Sequence, residues 1–328
     1  MTLVRQPAER VSETRLQPSA GASRQGLPRL VGAAVLVVLV AIIVGAYAAR
    51  TPPAPRPASS PADQFSADRA FTHVDQVAAV PHPVGSAANA RVRDYLLAEL
   101  RDLGLQPKVQ AGTGVRGNEL ARVENIHAQI PGRASTGHVV LAAHYDSVAQ
   151  APGAADDAAG VAAILETARA LRATSPLRND IDLVITDGEE PGLLGAQAFV
   201  TSGVIDPSRS IVLNLEAGGS SGPSMLFQSS PGNKGLIEAF ARVQDPVGGS
   251  ELAALFELLP NDTDFTVFRK AGFDALNLIF GDGHVQYHSP TDTPANLDRS
   301  SLQHHGDNLL SLAQVFGEQQ SRYPVTMR

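Results

Sequence analysis

Four short apolar runs constrain this chain more than any other feature: residues 139–143 (VVLAA), 181–186 (IDLVIT), 211–215 (IVLNL) and 275–280 (ALNLIF). Runs of this length and composition are the pattern of strands covered on both faces. The stretches between them follow the other period. Residues 87–105 carry Val92, Leu96, Leu97 and Leu100 at three- and four-residue spacing, with Gly104 as a stop, and read as a helix. A second helix follows Asp157, with Val161, Ile164, Leu165, Ala168 and Leu171 on one stripe and carboxylates at the positive end of its dipole. Residues 193–200 read as a third helix, and 122–130 as a further strand closed by Pro131-Gly132. The alternation, free of any repeat at solenoid or propeller periods, predicts an α/β domain: a mostly parallel central sheet with helices on both faces.

Ahead of this domain lies a segment without a single charge, beginning at Leu30 and ending at Ala49 (LVGAAVLVVLVAIIVGAYAA), between Arg29 and Arg50. About 20 apolar helical residues span a hydrocarbon core of about 30 Å. Arg5, Arg10, Arg15, Arg24 and Arg29 precede it against only Glu9 and Glu13, so the positive-inside bias keeps residues 1–29 in the cytoplasm. The expectation is a type II single-pass anchor with the domain outside. The competing reading is a signal peptide cleaved at the small-x-small sequence Ala46-Tyr47-Ala48, which leaves a secreted protein. Either way the bulk of the chain is exported. Residues 50–64, rich in proline, read as an extended spacer that lifts the domain off the membrane, 65–320 as the domain itself, and 321–328 as a tail.

Composition excludes some chemistry. A net charge of −7 with only Lys108, Lys234 and Lys270 as lysines argues against a nucleic-acid partner. With no cysteine, any metal must be bound by imidazole and carboxylate. Those groups stand at the ends of the apolar runs. His144-Tyr145-Asp146 follows the first, Asp187-Gly188-Glu189-Glu190 the second and Glu216 the third, where open α/β sheets place ligands. Asp156 and Asp157 lie at a helix start, and His288 in a turn-rich segment after the last run. Taken singly, each has a bland use: a hydrogen-bonded histidine, a helix cap, a solvated acid. Together they suit a pair of zinc ions, which needs imidazole, carboxylate and one bridging acid. Glu189 beside Glu190 puts one carboxylate on a metal and leaves the other for its water. Asp146 is placed to accept the second imidazole N–H of His144.

The motifs HYDS at 144–147, GAADDAAG at 153–160, DGEEPGLLG at 187–195, NLE at 214–216 and HSPTDT at 288–293 together resemble the co-catalytic zinc aminopeptidases of clan MH. That family also holds glutamate carboxypeptidases and the transferrin receptor ectodomain. PHPVGS at 81–86, NLEAGG at 214–219 and DTDF at 262–265 are similar to its endoplasmic-reticulum metallopeptidase and vacuolar membrane protease branch. The resemblance runs from about Phe71 to about Phe316 and implies the zinc exopeptidase fold. It makes His144 and Glu216 ligands of one zinc and Glu190 and His288 ligands of the other, with Asp156 bridging. It also makes Glu189 the general base, implies a cis peptide between Asp156 and Asp157, and puts Asp264 near the substrate cleft. Much of the family has aspartate where this chain has Glu216.

The implied activity is that of an aminopeptidase with two zinc ions, acting on peptides with a free N-terminus. Three alternatives stand beside it: a carboxypeptidase, a glutaminyl cyclase-like enzyme, and a non-catalytic binding module displayed on the membrane. His73, His82, His127, His138, His284, His304 and His305 are assigned structural or surface roles. Side-chain specificity and oligomeric state are not legible; the former depends on loops such as 220–230 and 245–259.

Overall fold

The computed structural model describes residues 26–48, 50–249 and 262–319, so most of the expected leader, residue 49, part of the 245–259 loop and the tail lie outside it. The chain divides into two compact units, Met1–Ala48 and Ala49–Arg328. In the first, Gly26–Ala48 form the 23-residue helix α1. Its described side chains, 31–45 and Tyr47, are exposed. Among the described residues no helix is long and apolar enough to cross a membrane. The expected anchor is only partly within that description, because residue 49 and the side chains of Leu30, Ala46 and Ala48 fall outside it.

The second unit is built on an eight-stranded sheet. Its strands are β1 (Lys108–Arg116), β2 (Glu119–Ile130), β3 (His138–His144), β4 (Asp180–Thr186), β5 (Ser210–Ala217), β6 (Met225–Ser229), β7 (Val247–Gly248) and β8 (Asp274–Phe280), in spatial order β1-β2-β4-β3-β5-β8-β6-β7. The four apolar runs form the parallel centre, β4-β3-β5-β8. The flanks depart from the expected mostly parallel arrangement. β1, β2 and β4 are joined antiparallel, and β6 is antiparallel to β8, which makes the sheet mixed. The reason is local: β1 and β2 are connected by the tight turn Gly117-Asn118, and a two-residue link permits only a hairpin. Parallel neighbours need a crossover helix, as the central strands have, and as β6 and β7, which also pair parallel, have in α6.

Helices α2 (Ala67–Val77), α3 (Ala87–Asp102), α4 (Ala158–Arg172), α5 (Leu194–Ser202), α6 (Lys234–Phe240), α7 (Asp264–Lys270) and α8 (Arg299–Gly317) cover the sheet. Side chains alternate along each buried strand, so Leu141, Leu183, Leu213 and Leu276 face α4 and α8, while Val140, Val184, Val212 and Ala275 face Phe199 of α5 and Phe268 of α7. Helix α3 ends where Gly104 takes φ +74°, a left-handed position that costs a residue with a side chain.

Residues 50–64 are not a free spacer. Arg56 pairs with Asp307 at 2.5 Å, and its N–H reaches Gln303 Oε1 at 2.8 Å. Arg69 and Arg169 donate to the carbonyls of Ala58, Ala62 and Gln64 while both grip the buried Glu166. The prolines remove local hydrogen bonding, and arginines from α2 and α4 supply it instead.

Candidate metal centre

Register brings the chemistry together. Val139 pairs with Ile181 on one side and Ile211 on the other, so β3, β4 and β5 run in step and end on one edge. His144, Asp187 and Glu216 therefore stand side by side although far apart in the chain. Asp157 caps α4, accepting the Gly160 N–H at 3.1 Å, and the preceding loop lays Asp156 across the same edge through a cis Asp156-Asp157 peptide. His288, with φ +53°, turns in from the segment after β8.

Two clusters result, His144 with Asp156 and Glu216, and Asp156 with Glu190 and His288; within each, one ligand atom per residue lies within 4.8 Å of the others. Asp156 belongs to both. Its Oδ1 is 3.2 Å from His144 Nε2 and its Oδ2 is 3.1 Å from His288 Nε2. His288 Nε2 is also 3.0 Å from Glu190 Oε2, and His144 Nε2 is 3.9 Å from Glu216 Oε2. His144 Nδ1 lies 3.0 Å from the main-chain oxygen of Asp146. A proton on Nδ1 satisfies that carbonyl and leaves the Nε2 lone pair facing Asp156.

The expected contact between His144 and the Asp146 carboxylate takes a different form. That carboxylate is 3.5 Å from Nδ1, and its hydrogen bonds come from the backbone N–H groups of Glu189 at 2.9 Å and Glu190 at 3.3 Å. Asp146 thus fixes the loop that carries the two glutamates. Asp292 does the same for the Asp156 loop, accepting the N–H groups of Ala155 at 2.8 Å and Asp156 at 3.2 Å. Its place in the HSPTDT motif was visible, but a partner 136 residues away was not. Asp187 is held from both ends: Asn125 Oδ1 accepts its backbone N–H at 3.0 Å, and Asn89 Nδ2 donates to its carboxylate at 3.0 Å.

Burial makes the site electrostatically demanding. It pushes the Glu189 and Glu216 carboxyls well above the usual range, with neighbouring carboxylates adding to the rise and His144 opposing it. Glu190 is pushed up to about 7 by burial and the Asp156 charge. Asp264, whose Oδ2 accepts the Thr186 hydroxyl at 2.5 Å, is raised to about 6 by burial. Asp156 moves the other way: burial alone would raise it, but the adjoining His144 and His288 imidazoles outweigh that. Burial would lower His288, yet the Asp156 and Glu190 carboxylates hold it at about 10.

Glu190 Oε1 and His288 Nε2 are buried with no well-oriented hydrogen-bond partner, and carboxylates outnumber basic side chains along the cleft they face. Orphaned nitrogen and oxygen donors converging in two groups on a shared carboxylate fit a pair of divalent cations of the zinc type. The clusters open into a cleft of about 550 Å3, with Met225, Phe227 and Ile279 among its apolar walls. His284 lines this cleft, beyond the structural role expected of it. It bonds the Gly218 carbonyl and stacks on Tyr287, which stacks on His288 with centroids 3.8 Å apart. The other six histidines stand outside both clusters. His127 and His138, for example, flank the buried Asp182 at 2.8 Å each.

Residues 125–313, over half of the chain, match peptidase family M28. The chain belongs to that family. This M28 chain is 30% identical over 260 residues to the vacuolar membrane protease of Candida albicans and 29% identical over 276 residues to endoplasmic reticulum metallopeptidase 1 of Rattus norvegicus. Each match covers 76% of this chain, and the chain spans only about 30% of the length of either relative. Among solved structures it is similar to an aminopeptidase from Aneurinibacillus sp. strain AM-1, with TM-score 0.66, 16% identity and coverage of 81% of this chain and 97% of that one. It is also similar to the glutaminyl cyclase of Porphyromonas gingivalis, with TM-score 0.62, 24% identity and coverage of 76% and 99%. These likenesses show the M28 chain to have the zinc aminopeptidase-like fold.

Proposed function

We propose that the protein is a zinc-dependent exopeptidase of aminopeptidase type, with two zinc ions per chain. In this reading His144 and Glu216 hold one ion, Glu190 and His288 the other, and Asp156 bridges them. The observation that carries the reading is Asp156, one carboxylate with an oxygen directed at a histidine on each side. When bound, such a pair supplies Lewis acidity to a scissile carbonyl and lowers the pKa of water towards 7. Glu189, the free carboxylate beside Glu190, would accept a proton from the attacking water and pass it to the leaving amine. Its raised proton affinity, from burial beside other acids, suits a group that must accept a proton and hold it briefly. Asp146 keeps Glu189 and Glu190 in position through their backbone N–H groups. The extra methylene of Glu216 relative to aspartate lets a carboxylate at the end of β5 lie 3.9 Å from His144 Nε2.

The same proposal places the protein in a membrane, with residues 30–49 as a type II anchor and the catalytic unit on the extracytoplasmic side. The test of activity uses the full chain reconstituted with zinc and peptides with free or acetylated N-termini. Release of single residues from the free peptides alone, lost with a chelator and restored by zinc, is the expected result. Elemental analysis should find two zinc ions per chain. Absence of release after zinc reconstitution overturns the activity, and extraction of the protein by alkaline carbonate overturns the anchor.

A further inference from the structure

Among the described residues lining the cleft, Arg116 is the one arginine or lysine, in a site otherwise dominated by carboxylates. It comes from the last position of β1, far from the ligand motifs, and three glycines permit its approach. A side chain at Gly114 would collide with Leu194, and one at Gly112 would press on Ala198, so β1 settles directly on the start of α5. At Gly192, with φ +138°, an added Cβ would stand 3.4 Å from both Cβ and Cδ of Arg116. The stem of Arg116 therefore lies over the loop that carries Glu190, two residues earlier. At its tip Nη2 donates to Asp262 Oδ2 at 2.9 Å. Among the described residues no hydrogen bond uses its Nε or Nη1.

An ion pair whose arginine is 42% exposed adds little stability of its own, so the fold has small need of this one. Its geometry has a different value. Asp262 takes one corner of a planar fork and steadies it, and the remaining N–H groups keep the pattern that matches a carboxylate. A cavity of about 550 Å3 is of small-ligand size, large enough for a short peptide.

We propose that Arg116, steadied by Asp262, binds a carboxylate of the substrate, and that the cleft therefore takes short peptides carrying such a group. The proposal rests on the peptidase reading above. The carboxylate is either the C-terminus of a di- or tripeptide or an acidic side chain. Binding measured calorimetrically on the zinc-loaded Glu189→Gln protein separates these sources without turnover. The probes are Leu-Gly, Leu-Gly-NH2 and Leu-Glu-NH2. Leu-Gly should bind about tenfold tighter than Leu-Gly-NH2 if the C-terminus is read, and Leu-Glu-NH2 should do so if the side chain is. Adding Arg116→Gln should abolish that preference at unchanged zinc content, and Arg116→Lys should keep part of it. Equal or undetectable binding of all three probes, or a preference that survives Arg116→Gln, overturns the proposal. Failure of the peptidase reading shows separately, as a zinc-loaded wild type that cleaves no peptide.

Discussion

The Asp146 carboxylate accepts the backbone N–H of Glu189 at 2.9 Å, tying the loop after β3 to the loop after β4. Asp146 is buried and accepts the Glu190 N–H as well. Replacing it with alanine leaves two buried donors unpaired, at about 1–3 kcal/mol each, and frees both glutamates to wander. Asp146→Ala is expected to lower kcat/KM by about 10–100-fold with weaker zinc retention, and Asp146→Asn to lose less. Peptide turnover measured against zinc content checks this. An alanine variant with wild-type turnover would refute the bracing role.

Glu189→Gln removes a base and not a ligand. It should retain both zinc ions while kcat falls by about 100- to 10,000-fold. Zinc content and turnover measured on the same sample decide it, and loss of zinc would mean that Glu189 and Glu190 have exchanged roles.

Stability should fall in acid through His305. Burial and the neighbouring His304 lower its pKa from 6.5 to about 3, so the folded protein stays unprotonated where the unfolded chain binds a proton. The unfolded state therefore gains below pH 6.5, by about 1.4 kcal/mol per pH unit, down to the folded value. His82 and His304, also lowered by burial, act in the same sense. In His305→Asn, urea unfolding between pH 8 and 4.5 should show a shallower decline, by about 2–3 kcal/mol over that range. An unchanged slope would remove His305 from the account.

Gly306 of α8 faces the ring of Phe65, and a Cβ there would overlap that ring. Phe65 is fully buried and follows directly on the segment tied down by Arg56 and Arg69. Gly306→Ala is expected to destabilise the domain by about 1–3 kcal/mol through overpacking, despite the better helix propensity of alanine. Chemical denaturation measures the loss, and a more stable variant would contradict the close approach.

Much of this was legible because the informative residues are contiguous. Three of the apolar runs end within four residues of the group they present, so the run and its His144, Glu190 or Glu216 form one contiguous piece of sequence. The flanking strands were harder. β1 is exposed or half-buried everywhere but Gly114 and owes its place to a hairpin turn and to α5, whereas periodicity records only a strand's own burial. The contacts of residues 50–64 are hidden in the sequence for a related reason, since their partners Arg69, Arg169 and Asp307 lie elsewhere in the chain.

The sequence by itself determined the donor chemistry, nitrogen and oxygen without sulfur, and the strand ends that carry it, because both are local properties of residue type and order. Only the tertiary structure decided that the Asp146 carboxylate serves the Glu189-Glu190 loop, that Asp292 holds the Asp156 loop and that Arg116 reaches the cleft. Those relationships depend on strand register and on close approaches at glycine, which join residues tens to more than a hundred positions apart.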